Sequence, residues 1–129
     1  MLTINRQTEY AIFLLHFLQC RKKSVSLNEV ASLTGLSPSL LSKVAGKLVE
    51  ANILASKEGL GGGYQLKKKL GQISLGEVIA LFEQKKRIVS CFSDHKNCIS
   101  DCQLKNFWKK VEEDVENRLG RIKLDKMLK

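Results

Sequence analysis

The chain has 129 residues, 43% of them hydrophobic, and a formal net charge of +9. That length and apolar content provide for one domain with its own core plus an appendage. The charge favours a polyanionic partner, nucleic acid first. A membrane-spanning protein is not expected, because no long uninterrupted apolar run is present, and an enzyme is not expected either, for want of a nucleophile–base pair, a phosphate loop or paired carboxylates.

Residues 1–23 read as the first helix. A single arginine precedes a short apolar run and no small-residue cleavage site follows, so this is a buried helix rather than a signal peptide, and the expected compartment is the cytoplasm. Tyr10, Ala11, Phe13, Leu14, Leu15, Phe17 and Leu18 cover most of its circumference. Such a helix must be buried on more than one side, here beneath the helices that follow it and against a second subunit. Cys20 reads as a small buried hydrophobe. His16 is isolated and reads as a core or surface histidine rather than a ligand. Arg21-Lys22-Lys23 is a solvated turn, with phosphate contact as the alternative.

Residues 26–69 organise the chain. Ser26 with Glu29 three residues on is the capping-box pattern, and Leu27, Val30, Ala31 and Thr34 then share one helical face. Gly35 ends this helix, and Ser37-Pro38 starts the next with a serine cap and a proline at the first helical position. Leu41, Val44 and Leu48 form its inward stripe, with Leu40 at the edge. Ser39, Ser42, Lys43, Gly46 and Lys47 lie outside that stripe. Two such helices across a short turn are a helix-turn-helix. Residues 53–56 and 64–66 can pair as a hairpin around the tip 59–63, whose Gly61, Gly62 and Gly63 let backbone N–H groups approach a phosphate or a minor groove. The expected fold is therefore mainly α with a small β-hairpin: a winged helix-turn-helix followed by a long C-terminal dimerisation helix. Its exposed hydroxyls and lysines suit a major groove. A helical domain with a merely solvated basic face is the alternative.

Lys67-Lys68-Lys69 closes the hairpin, either along a phosphate backbone or in solvent, and Tyr64 reads as core. Ser74 and Glu77 form a second capping box, opening a helix with Leu75, Val78, Ile79 and Phe82 inward and ending at Lys85-Lys86-Arg87. Cys91, Cys98 and Cys102 follow with C-x6-C-x3-C spacing in a polar stretch. Adjacent thiolates repel and are stabilised by a shared cation; sulfur ligands select zinc, copper(I) or an iron–sulfur cluster. Three thiolates leave such a site one ligand short, with Asp94, His95, Asp101 or a residue from elsewhere in a dimer to fill it. Unconnected surface thiols are the alternative. Residues 104–122 form a long amphipathic helix whose stripe Leu104, Trp108, Val111, Val115, Leu119 and Ile122 needs a partner, while Lys109, Lys110, Glu112, Glu113 and Arg118 take the other faces. A second copy would supply that partner and present two reading helices to a pseudo-palindromic site on double-stranded DNA; packing on its own domain is the alternative. Residues 123–129 are expected to fray. The expected organisation is a winged-helix domain over 1–84, a cysteine-bearing loop over 85–103, and a dimerisation helix with tail over 104–129.

Taken together, Glu9-Tyr10-Ala11, Val30-Ala31, Leu36-Ser37-Pro38-Ser39-Leu40-Leu41, Ala51-Asn52-Ile53-Leu54, the run from Gly59 to Leu66, Ile73-Ser74-Leu75-Gly76-Glu77-Val78, the three cysteines and the helix with Trp108 resemble the Rrf-two family of bacterial winged-helix regulators. The family includes iron–sulfur-biogenesis and nitric-oxide-responsive repressors. The resemblance implies a homodimeric repressor whose DNA affinity follows the state of an iron–sulfur cluster, 2Fe-2S or 4Fe-4S, on Cys91, Cys98 and Cys102. It implies DNA contacts by Ser37, Ser39, Leu40, Ser42 and Lys43 and by Gly61, Gly62 and Gly63 of the wing. Lys47 extends the same outward face. Two departures stand out. Glu58 occupies a position that is basic in many relatives, so either Lys57 takes over its phosphate contact or the wing reads less DNA. Lys105 stands where some relatives place a histidine ligand, so Glu9, from either subunit, is the expected fourth ligand, with a plain surface charge as the alternative. A zinc-dependent or thiol-redox DNA-binding regulator without a cluster, and a scaffold or cluster carrier that binds no DNA, are the competing readings.

Overall fold

The first helix, α1 (Arg6–Arg21), begins where Asn5 caps it by accepting a hydrogen bond from Thr8 N at 2.9 Å. The computed structural model describes residues 4–84 and 103–127. α2 (Leu27–Thr34) and α3 (Pro38–Glu50) follow, then strands β1 (Leu54–Lys57) and β2 (Gly63–Leu66), a 3-10 turn over Leu70–Gln72, α4 (Leu75–Phe82), α5 (Gln103–Arg121) and the short α6 (Leu124–Met127). Cys91, Cys98, Cys102 and the run Lys85-Lys86-Arg87 lie outside the described residues.

The caps read from sequence determine where the helices start. Ser26 Oγ accepts from Glu29 N at 3.1 Å, and Gly35 closes α2 at φ +73°. Ser37 caps α3 with Pro38 in its first turn. Ser74 and Glu77 form both bonds of a capping box on α4. α3 ends with Asn52 in the left-handed region at φ 60°, which asparagine tolerates, and Ile53 N reaches back to Leu48 O.

One core joins these elements. Leu14 and Leu15 of α1, Val30 of α2, Leu41, Val44, Ala45 and Leu48 of α3, and Val78 of α4 are wholly buried. β1 and β2 pair antiparallel, with Leu54 opposite Leu66 and Lys57 opposite Gly63. The ladder thus starts one residue later than the sequence pattern indicates, and it takes in Gly63. Val25 adds a bridge on the far side of β2, exchanging both backbone bonds with Tyr64 at 2.8 and 3.0 Å. A β carbon on Gly63 would stand 2.3 Å from Val25 O, so only glycine permits this approach.

Four expectations are corrected. Cys20 is exposed, because it lies in the last turn of α1 beyond the packed stripe. α4 stops at Phe82, capped by Glu83, rather than running to residue 87. Glu112 is buried although the charged Lys110 and Glu113 near it are exposed. The tail is docked through residue 124: Leu124 is 1% exposed, and its N–H donates to Ile73 O at 3.0 Å. α5 meets α4 where Gly76 lets the backbones approach; a β carbon on Gly76 would lie 3.0 Å from Gly120 N.

Candidate nucleic-acid interface

The orientation of α3 follows from its buried side. Leu41, Val44, Ala45 and Leu48 are fully enclosed, so the opposite face must point outward. On it Ser39, Ser42, Lys43, Gly46 and Lys47 are exposed, and Leu40 is half-buried at the edge. Ser37 and Ser39 share a hydroxyl hydrogen bond of 3.1 Å at the start of the helix. The buried Tyr10 places its phenolic oxygen 3.3 Å from Ser37 N as acceptor, tying α1 to the cap of α3. Lys47 differs from Lys43: its ammonium lies 5.4 Å from the centre of the Phe82 ring, at the α4 side of the helix.

The hairpin is held to the end of α3 by two bonds, Lys67 N to Ile53 O at 2.9 Å and Lys67 Nζ to Asn52 Oδ1 at 3.2 Å. Its three glycines occupy different settings. Gly61 is exposed at φ +73°, with open space where a β carbon would stand. Gly62 closes the tip on itself by donating to Gly59 O at 2.9 Å. Gly63 sits in the ladder against Val25. Lys57 and Glu58 are both exposed beside the tip. Lys68 stands 4.0 Å from the Glu77 carboxylate, and Lys67 is engaged as above, which leaves Lys69 exposed at the foot of the hairpin.

Glu9 is exposed on α1, in a shallow groove lined by Ile4, Ile12, Phe13 and His16. It is the one candidate metal ligand within the described residues, and among those residues no cluster of three ligating side chains forms. Sequence reasoning did not find a second polar cluster at the start of α1. Glu83 Oε1 accepts from Asn5 N at 2.7 Å and lies 3.0 Å from the buried Thr8 hydroxyl, while Asn5 Nδ2 donates to Phe82 O at 2.7 Å. The asparagine cap was visible as a local signal; its carboxylate partner, 78 residues away, was not.

Known proteins with similar sequences and folds share this layout. A family model described as "Rrf2: Iron-dependent Transcriptional regulator" matches residues 4–129. The transcriptional regulator IscR of Vibrio atlanticus is 28% identical over 114 residues, 87% of this chain and 65% of that protein, so the chain spans just under two thirds of that relative's length. The regulator NsrR of Shouchella clausii is 33% identical over 103 residues, 76% of this chain and 69% of that protein. The crystal structure of oxidized Staphylococcus aureus CymR aligns with a TM-score of 0.70 at 25% identity, covering 99% of this chain and 97% of that one. With the winged helix-turn-helix and the long C-terminal helix in place, the chain belongs to the Rrf2 family of transcriptional regulators.

Proposed function

We propose that this chain is a sequence-specific, DNA-binding transcriptional repressor that acts as a homodimer, its DNA affinity set by an iron–sulfur cluster on Cys91, Cys98, Cys102 and Glu9. The observation that carries the DNA-binding part is the division of α3. One face is sealed in the core, and the other offers Ser39, Ser42 and Lys43 beside a glycine-tipped wing bound to the same helix. Hydroxyls and lysines so fixed can meet base edges and phosphates without paying again for their orientation. The name of the matching family model, an iron-dependent regulator, supports the metal part.

The donor set fits a cluster in kind. Three thiolates supply soft ligands, and Glu9 supplies an exposed carboxylate from α1, a harder and more exchangeable corner. Bound there, a cluster would supply iron that reacts with nitric oxide or oxygen. The chain's own part is transmission. In sequence the cysteine-bearing segment follows Glu83, which holds Asn5 and Thr8 at the head of α1, and α1 in turn holds the α3 cap through Tyr10. A rearrangement of that segment therefore has a hydrogen-bonded route to the reading helix. It changes affinity only by the difference in its stability between the two arrangements.

Visible absorbance, with iron and sulfide assayed on the same oxygen-free sample, tests this reading. Matching iron and sulfide are expected, together with DNA binding that falls steeply with salt. A colourless protein after reconstitution would sink the cluster and leave the second reading, a thiol-redox regulator. That reading draws on the likeness to a protein crystallised in an oxidized form and on the exposed Cys20.

A further inference from the structure

We infer that Leu60 is an apolar wedge that enters the DNA minor groove and gives the wing a preference for A·T pairs; this rests on the DNA-binding reading above. Leu60 is 106% exposed, more than in an extended reference chain, whereas the other exposed large apolar side chains among the described residues range from 39% to 65%. Single exposed leucines are ordinary on protein surfaces. This one stands in a setting that keeps it from folding back. Gly59 at φ +91° and Gly61 at φ +73° flank it, and the Gly62 N–H closes the turn on Gly59 O. A β carbon on Gly62 would stand 2.4 Å from Lys57 O, so the tip tolerates no bulk there.

The outcome is a thin blade whose only side chain between residues 59 and 63 is a leucine. Paired strands lie about 4.8 Å apart, and seen edge-on such a hairpin is one backbone thick. The minor groove is about 6 Å wide. The blade's base is fixed to the end of α3 through Lys67, so a reading helix in the major groove carries the tip towards the neighbouring minor groove. Leucine offers no hydrogen bond, so it cannot satisfy the guanine 2-amino donor that G·C pairs place on the minor-groove floor. It can press against A·T pairs and part a flexible step, as apolar wedges do in minor-groove binders. The carboxylate of Glu58 beside the tip repels phosphates and offsets the charge of Lys57, so at the tip itself Leu60 contributes shape rather than charge.

The test uses duplexes selected from a random-sequence pool by the full chain, in both its oxygen-free and its metal-depleted form. Each A·T pair in the flanks of the selected site is replaced by G·C or by inosine·cytosine, which has the G·C major-groove face without the 2-amino group. The wild type should keep its affinity on inosine·cytosine and lose roughly tenfold on G·C at the wing position. Leu60→Ala and Leu60→Gln should each bind more weakly, lose that discrimination, and keep the slope of affinity against salt. Unchanged melting temperatures are expected, because Leu60 packs on nothing in the core. Variants that discriminate as the wild type does would overturn the wedge while leaving DNA binding intact. A wild type that selects no duplex in either form would overturn both.

Discussion

The reading unit and the long C-terminal helix dispose of their apolar surface in opposite ways. In α3 the inner residues Leu41, Val44, Ala45 and Leu48 are all at 0% exposure, closed off by α1 and β1 of the same chain. In α5 apolar side chains stay open to solvent: Leu104 is 65% exposed, Phe107 53% and Val115 39%. The far end of α5 is tied to the domain by its close approach to Gly76 and by Leu75 N donating to Ile122 O at 2.8 Å. One region is thus finished within a single chain and keeps polar groups for a ligand, while the other leaves apolar side chains uncovered. The geometry of α3 is set by folding of the chain itself, and the open face of α5 is what the proposed homodimer would cover.

The largest way to break the first half of that contrast is Gly63→Ala. The added methyl would collide with Val25 O, and the residue already sits at φ +142°. We expect a loss of about 3 kcal/mol or more in urea unfolding, with DNA binding lost alongside folding. Gly61→Ala is the control on the same hairpin: its surroundings are open and its left-handed φ should cost only about 1 kcal/mol. Equal losses for the two would show that Gly63 is not a packing position.

The second half of the contrast is broken by Leu104→Glu with Phe107→Glu. Sedimentation should shift from dimer to monomer, and affinity for a two-half-site duplex should fall by roughly a hundredfold as the paired contacts uncouple. The monomer should melt as the wild-type domain does, because neither side chain belongs to the core. A dimer that survives this pair of charges would locate the partner surface elsewhere.

What sequence could see follows the range of the physics. Ser37-Pro38, Gly35 and the Ser74–Glu77 box are local devices, and each stands where its spacing places it. The outward Ser39, Ser42 and Lys43 follow from helical periodicity alone. The misses are long-range. Gly63 looks like part of a glycine tip until Val25 is brought against it. Glu112 looks solvated by its charge and spacing yet is buried in the fold, and the tail looks frayed until Leu124 finds Ile73. Glu83 carries no local signal at all; its role at the head of α1 exists only once α4 has folded beside it.

The smallest effect sharpens the contrast inside α3 itself. Lys43 and Lys47 are one helical turn apart, and both are exposed, yet only Lys47 has its ammonium over an aromatic ring. If Lys43 neutralises a phosphate, Lys43→Ala should lower the slope of log affinity against log salt by about 0.9 per subunit, about 1.8 for the proposed dimer, and leave stability unchanged. Lys47→Ala should instead remove a cation–π contact, costing about 0.5–1 kcal/mol of stability, and move the salt slope less. Titrating both variants across a salt series, beside their urea unfolding curves, separates the two roles. A shared, equal drop in slope would mean that Lys47 leaves Phe82 to reach the backbone of the DNA, extending the reading face a full turn toward α4.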